Sequence, residues 1–269
     1  MIKENLAREL RTMANYAGRE LDLWIKEQML AVRDLAASIS TSKILIEGLS
    51  LDNQISKSKS VNQPKATELY LKSVHKRLET IVDVQGEVIA SNVDEPLPVL
   101  FAQNWPENAS IQGDVVISPQ WNEHYGTAIV SIAVPILSID DYILGALIVT
   151  FDMQSLQPNL KAKIRPPQGD ILLLDQAGHI MLASDTLLLD KPLSSELNVL
   201  SHLRDNPGEY DIFLGPKQEK VAGLAYLSEK TPITIIATRD YQLIYSAWEQ
   251  QRNIFAGLVG IIILIVTAI

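Results

Sequence analysis

The sequence predicts an α+β fold in which a long N-terminal helix is followed by two tandem antiparallel-sheet subdomains and a C-terminal transmembrane helix. Three observations predict this fold. Apolar side chains recur every three or four residues from residue 2 to about residue 40. A strand, an Asp-x-x-Gly turn and a second strand occur at Asp83 and again at Asp175. The chain closes on an uncharged apolar run, Ile254–Ile269.

Residues 1–45 are predicted to form one long stalk or spine helix. Steps of three and four between apolar positions are typical of an α-helix with one buried face. At 1.5 Å per residue this helix would span roughly 58 Å, which exceeds one small domain. It would therefore pack along both subdomains or pair with a second copy of the chain, and the two roles are compatible. The predicted stripe consists of Ile2, Leu6, Leu10, Met13, Ala17, Leu21, Trp24, Ala31, Leu35 and Ile39, with Gln28 filling the remaining slot.

Residues 46–160 are predicted to form the first, membrane-distal subdomain. A polar loop at 50–66 precedes a hairpin in which Asp83 and Gly86 supply the turn chemistry. The chain is then rich in proline and loop-like up to about residue 118. Two longer strands rich in β-branched residues follow at 127–136 and 142–151, and we expect them to form the central hairpin of a sheet.

Residues 161–240 are predicted to form the second, membrane-proximal subdomain. Its first hairpin repeats the Asp-x-x-Gly turn, and both hairpins close on an Ala-Ser pair, Ala90-Ser91 and Ala183-Ser184. Such internal repetition indicates two similar units, at about 67–158 and 168–240. A helix at 194–203 and strands at 209–214, 220–227 and 233–238 complete the second unit.

Residues 241–269 are predicted to contain a juxtamembrane segment and the start of a truncated transmembrane helix. Tyr241, Tyr245 and Trp248 recur at helical spacing before the apolar run, where aromatic side chains favour the headgroup zone. A spanning helix needs about 20 apolar residues, so we expect that the sequence has been trimmed at this end. The start of the chain has no apolar core typical of a signal peptide, so we expect trimming there too. A buried helix of a soluble protein is the alternative reading of the run.

Composition argues against several function classes. The formal net charge is −9, and no basic patch is present, so a nucleic-acid partner is not expected. The chain has no cysteine, and its four histidines lie far apart, so neither disulfides nor a zinc site is predicted. No nucleophile–base motif, phosphate-binding loop or dinucleotide fingerprint occurs. We therefore expect no cofactor, no metal and no catalytic residue in this chain, whereas a missing output domain could be an enzyme.

The order of these elements resembles the double Cache family, the PAS-like extracytoplasmic sensor domains of bacterial transmembrane receptors. The resemblance covers the whole chain. The strongest local match is the apolar strand Ile132–Ile136 with its proline, followed by Tyr142–Leu147 and ending on Phe151-Asp152. It implies two PAS-like subdomains, a small ligand bound over the sheet of the distal one, and a location at the bacterial inner membrane with residues 1–250 in the periplasm.

Four residues of the distal subdomain are predicted to bind the ligand. Three are aromatic residues of the loop-rich part, which would form a lid, and the fourth ends the last strand: Trp105, Trp121, Tyr125 and Asp152. Aromatic walls with a few polar groups suit a small-molecule pocket. The alternatives are that the aromatic residues cap the core and that Asp152 caps the helix that follows it.

The resemblance also implies what the ligand is not. Family members that bind amino acids carry an Arg-x-Trp-Tyr element, and Asp152 matches their aspartate. Trp105 alone matches the element, because Gln103 stands at the Arg position and Pro106 at the Tyr position. A ligand carboxylate would lose its bidentate guanidinium partner, so the ligand stays unidentified.

The favoured function is therefore an extracytoplasmic small-molecule sensor, the input domain of a membrane-bound receptor. Ligand binding would shift the terminal helices and so control a missing cytoplasmic output domain, which could be a histidine kinase, a diguanylate cyclase or a chemoreceptor module. A homodimer through the N-terminal helix is expected. The alternative is a membrane-anchored interaction or dimerisation module with an empty pocket that responds to a partner protein.

Overall fold

The computed structural model describes residues 2–41, 78–84, 86–91, 116–123, 126–138, 140, 142–162, 169–189, 191–194, 198–228, 231–246 and 252. The chain divides into two compact units. The first-sheet unit comprises residues 21–156 and 230–232, and the second-sheet unit comprises residues 1–20, 157–229 and 233–269.

The predicted N-terminal helix is present as α1 (Ile2–Thr41). The buried residues that belong to the predicted stripe are Leu6, Leu10, Ala17, Leu21, Trp24 and Ile39. Ala14, Val32 and Ala36 are also buried, each one position after a predicted residue that is only partly buried. The single predicted helix is thus confirmed, with a buried face wider than the predicted stripe.

The first sheet has five antiparallel strands in the order β2-β1-β5-β4-β3. They are β1 (Leu78–Asp83), β2 (Val88–Ser91), β3 (Val116–Asn122), β4 (Thr127–Leu137) and β5 (Ile143–Asp152). The long β4–β5 hairpin lies within the sheet as predicted, and β5 is its central strand. A 3₁₀ turn, η1 (Met153–Leu156), and the short helix α2 (Gln157–Ala162) follow β5.

Strand β3 corrects one sequence prediction. The region was expected to be loop-like to about residue 118, with Trp121 in a loop, but residues Val116–Asn122 form a strand. Pro119 in the middle of the segment obscured it, because proline cannot donate a ladder hydrogen bond. The structure tolerates Pro119 because β3 is an edge strand that pairs with β4 alone.

The second sheet repeats the order of the first, β7-β6-β10-β9-β8. Its strands are β6 (Asp170–Leu174), β7 (Ile180–Ala183), β8 (Tyr210–Leu214), β9 (Lys220–Leu227) and β10 (Thr234–Asp240), with the 3₁₀ turn η2 (Thr186–Leu188) and helix α3 (Val199–Asp205) between β7 and β8. The helix predicted at 194–203 therefore begins later, at Val199, and 195–197 lie outside the described residues. Helical residues 241–246 follow β10.

The two hairpin turns use their aspartates and glycines as predicted. The Asp83 carboxylate accepts from the Glu87 amide at 2.8 Å, and the Asp175 carboxylate accepts from the Gly178 amide at 2.7 Å. Gly86 and Gly178 have φ angles of 83° and 93°, a region that favours glycine. Both ladders also shift register at the corresponding place, between Ile81 and Val82 and between Leu173 and Leu174.

The second sheet is buried on both faces. On one face Leu6, Leu10 and Ala14 of α1 pack against Leu224 and Ala237. On the other face, a larger cluster forms under η2 and α3: Leu172, Leu174, Ile180, Ala183, Leu188, Leu193, Val199, Leu203, Phe213, Val221, Ala225 and Ile236. These two layers give the unit a complete core.

Within the described ranges, no helix combines the length and the apolar character that crossing a bilayer requires. The span predicted at 254–269 lies outside those ranges.

Candidate functional site

The two faces of the first sheet differ in chemistry. Side chains alternate between faces along a strand and share a face with their cross-strand partners. Helix α1 covers the face that carries Phe151, because the Trp24 and Phe151 rings meet edge to face with centroids 6.3 Å apart. The Trp24 indole also donates to the Ser155 hydroxyl at 3.1 Å, which fixes this packing.

The opposite face carries a row of hydroxyl groups. Thr80 and Ser91 hydrogen-bond across β1 and β2 at 3.0 Å, and Ser131 and Thr150 do so across β4 and β5 at 2.9 Å. Thr80, Ser131 and Thr150 are each at most 4% exposed, so the row lies in the interior of the unit. Buried hydroxyls must be hydrogen-bonded, and these satisfy one another.

Asp152 ends β5 on this polar face. Its Oδ1 atom accepts two hydrogen bonds, from the Thr127 hydroxyl and from the Gln154 amide, both at 2.8 Å. The second bond caps η1, as the alternative interpretation of this residue predicted. Oδ2 has no hydrogen-bond partner among the residues that the structure describes, and the side chain is exposed. One carboxylate therefore caps a turn and still offers an acceptor.

The structure separates two of the predicted site residues. Trp121 pairs with Ala128, whereas Asp152 pairs with the neighbouring residue of β4, Ile129. Because alternate residues face opposite ways, Trp121 lies on the face that α1 covers and Asp152 on the polar face. Trp121 is half-buried there. The other two predicted residues, Trp105 and Tyr125, lie outside the described residues.

Two polar residues near Asp152 were not predicted from the sequence. Gln120 pairs with Ile129, which pairs with Asp152, so Gln120 shares the polar face. Thr127 reaches the same carboxylate through its hydroxyl. The signal that could have identified them is the pairing register, which requires knowledge that 116–122 is a strand.

A cavity of about 800 Å³ lies in the second-sheet unit. Its lining residues supply four carboxylates, two ammonium groups, three hydroxyls and two apolar side chains: Asp170, Asp185, Glu219, Asp240, Lys161, Lys217, Ser184, Thr186, Thr238, Val221 and Leu243, with Gly169. This cavity is not predicted from the sequence, because its residues come from distant parts of the chain.

Lys217 connects two of the cavity's carboxylates. Its ammonium lies 2.9 Å from Asp185 and 3.4 Å from Asp170. The hydrogen bond from Lys217 is the main reason that the pKa of Asp185 is lowered. Burial alone would lower the pKa of Lys217, but the hydrogen bond to Asp185 and the two negative charges outweigh it, so the pKa is raised. Both shifts favour the charged forms, so Lys217 and Asp185 form an ion pair at neutral pH.

A long helix followed by two five-stranded antiparallel sheets of the same strand order defines the fold of this chain. The Cache domain model matches residues 1–248, and the chain belongs to this family, which confirms the predicted resemblance. Cache domains are sensor domains of signal-transduction receptors, so the chain is a sensory input module. No curated protein sequence matches this one.

Solved structures share the fold at low sequence identity. The ligand-binding domain of the Campylobacter jejuni chemoreceptor Tlp3, in complex with 4-methylisoleucine, is 17% identical with a TM-score of 0.61, over 90% of this chain and 94% of that one. The sensor domain of the V. cholerae histidine kinase DctB is 17% identical with a TM-score of 0.61, over 89% and 99%. The ligand-binding domain of the Pseudomonas fluorescens chemoreceptor CtaA, in complex with L-serine, is 16% identical with a TM-score of 0.54, over 88% and 98%.

Proposed function

We propose that this chain is the extracytoplasmic small-molecule sensor of a membrane-bound receptor and that its first-sheet unit binds a ligand with an amino group. The observation that carries the proposal is the Asp152 carboxylate. Its Oδ1 atom is fixed by two hydrogen bonds, while Oδ2 has no partner among the described residues. A carboxylate fixed in this way is a preorganised acceptor for an ammonium group.

The relatives support this ligand chemistry without specifying the molecule. Tlp3 and CtaA were solved with 4-methylisoleucine and L-serine, which both carry an amino group. In this chain Gln103 replaces the arginine that the family resemblance implies for a ligand carboxylate. An amide forms neither the bidentate nor the charged contact of a guanidinium. We therefore propose an amine for which a carboxylate contributes little affinity.

Signalling would follow from a shift between two conformations. A ligand changes such an equilibrium only through its differential affinity for the two states. We propose that the bound state differs at the terminal helices, which lead to a cytoplasmic histidine kinase, diguanylate cyclase or chemoreceptor module. The proposal includes a location in the bacterial inner membrane, with residues 1–250 in the periplasm and the run at 254–269 as anchor.

A thermal-shift screen of amines and amino acids tests the proposed site. The whole chain is purified in detergent to accommodate its apolar C-terminal run. A ligand at 100 times its dissociation constant should stabilise the chain by about 2.7 kcal/mol. Asp152→Asn keeps the capping oxygen but removes the charge, and it should abolish the shift, whereas Asp205→Asn, at an exposed position of α3, serves as the matched control. A screen in which Asp152→Asn reduces the shift of no stabilising ligand would contradict the proposed site.

A dimerisation role is the second candidate function, and the exposed face of α1 favours it. Leu23 and Leu30 are 57% and 50% exposed and lie seven residues apart, so they share one face of the helix with Ala37. Apolar residues at heptad spacing form the seam between paired helices. The double variant Leu23→Glu and Leu30→Glu should shift the mass in light scattering from dimer to monomer. A wild-type chain that stays monomeric at high micromolar concentration would reject this role.

A further inference from the structure

Asp240 is the counterpart of Asp152 in the second sheet. Each is the last residue of the last strand of its sheet, β10 or β5, and pairs with an apolar residue of the preceding strand, Val221 or Ile129. Each uses a single oxygen, Oδ1, to cap the backbone that follows. Asp240 accepts from the Gln242 amide at 2.7 Å and the Leu243 amide at 3.3 Å. Its Oδ2 atom has no hydrogen-bond partner among the described residues.

Asp240 has a cavity beside it. The space of about 800 Å³ described above is lined by Asp240 and its partner Val221. Its volume falls within the range of about 300–1,000 Å³ that small-molecule sites occupy. Register places Asp170, Thr238 and Asp240 on one face of the sheet, since Asp170 pairs with Thr238 and Asp240 follows two residues later. This face is the one opposite the α1 contacts of Ala237.

The charges of the lining are not balanced. Lys217 is shared between Asp170 and Asp185, and Lys161 is close enough to Asp185 to lower its pKa further. These two cations and two carboxylates neutralise one another. Glu219 and Asp240 have no lysine or arginine within salt-bridge distance in the part of the chain that the structure describes. The cavity therefore carries an excess of two negative charges on its lining.

We propose that this cavity is a second binding site and that it takes a small organic cation, an aliphatic amine whose ammonium group pairs with Asp240 and Glu219. The apolar body of such an amine would contact Val221 and Leu243, which are the apolar side chains of the lining. The hydroxyl of Ser184 is already committed, because it donates to Asp170 at 2.9 Å. The recognising groups are thus the two unpaired carboxylates.

Isothermal titration of the whole chain in detergent tests the proposal with defined probes. 1,4-Diaminobutane is the cationic probe, 1,4-butanediol is its neutral isostere and succinate its anionic counterpart. Only the diamine should bind. Asp240→Asn preserves the Oδ1 cap and removes the charge, so it should weaken diamine binding by about 10- to 100-fold, the effect of losing one charge-assisted hydrogen bond. Glu219→Gln should weaken it in the same direction.

Asp152→Asn makes the same chemical change at the position proposed to bind an amine in the first-sheet unit, so the titrations are also carried out in that background. In folded Asp152→Asn, diamine binding to the cavity should persist, and the further change Asp240→Asn should weaken it. Circular dichroism melting curves of each variant establish that the fold is retained before the titration is interpreted. Absence of diamine binding at millimolar concentration would overturn the proposal. Equal affinity for the diol and the diamine would also overturn it. So would loss of diamine binding in Asp152→Asn together with its retention in folded Asp240→Asn, because that pattern assigns the amine to the first-sheet unit alone.

Discussion

Arg204 fixes the second Asp-x-x-Gly turn, and its removal should destabilise the second-sheet unit. From α3 its guanidinium donates to the Asp175 carbonyl at 2.8 Å, to the Gln176 carbonyl at 2.9 Å and to the Thr234 hydroxyl at 2.9 Å. Burial lowers the pKa of Arg204 from its usual value, but the group stays charged at neutral pH. One side chain thus joins α3, the β6–β7 turn and β10.

The cost of Arg204→Ala can be worked out from these three bonds. The Gln176 bond is exposed, so water replaces it at little cost. The bonds to Asp175 and Thr234 are partly buried, and each contributes on the order of 1–1.5 kcal/mol after partial solvent compensation. We therefore expect a loss of about 2–3 kcal/mol in the free energy of unfolding. Urea denaturation followed by circular dichroism measures it.

Arg204→Lys is the matched control for this prediction. A lysine keeps the charge and most of the apolar stem, but its single ammonium cannot reach three acceptors in a fixed fork. It should therefore recover only about 1 kcal/mol of the loss. Surface substitutions usually change the free energy of unfolding by less than about 0.5 kcal/mol. If the free energies of unfolding of both variants lie within that margin of the wild-type value, the assignment of Arg204 as the link between these elements is wrong.

Two further predictions concern α1 and the ion pair of Lys217. A methyl group added at Gly18 would lie 2.5 Å from the nearest ring atom of Tyr226, so Gly18→Ala should destabilise the native chain. In a Tyr226→Ala background the same substitution should stabilise the chain by up to about 1 kcal/mol, because alanine has the higher helix propensity. A double-mutant cycle without coupling between the two positions would refute the close contact. The pKa of Asp185 is lowered on folding, chiefly by the hydrogen bond from Lys217. The ionised carboxylate therefore stabilises the folded chain above the unfolded pKa of about 3.9, and this stabilisation is lost as the pH falls through the folded pKa. Asp185→Asn should accordingly lower the melting temperature at pH 7 and flatten its decline below about pH 4, and melting curves that stay parallel to wild type would contradict this.

Local signals in the sequence predicted much of the fold. The turns at Asp83 and Asp175 could be identified because Asp and Gly satisfy the turn within four residues of chain. The helix α1 could be identified because its apolar period is sustained over ten turns or so. These features depend on neighbours in sequence, and so they are visible without a structure.

The candidate sites depend on register, and the sequence does not reveal register. The sequence predicts Trp121 as part of an aromatic lid and Asp152 as a ligand contact by its match to the family's aspartate, but a strand at Val116–Asn122 turns Trp121 to the face that α1 covers. The sequence alone does not identify Asp240 as the equivalent of Asp152, because the two repeats differ in length between the first hairpin and the last strand. Only the pairing of Asp240 with Val221 makes it equivalent to Asp152.

Asp240 has one structural consequence that extends past the second sheet. The same carboxylate lines the cavity and holds the first amides after β10, at Gln242 and Leu243. A rotation of that carboxylate would pull on both amides at once, and so the direction in which residues 241–246 leave the sheet is tied to a single side-chain torsion. Neutralising Asp240 would weaken both hydrogen bonds and leave the direction of residues 241–246 less constrained.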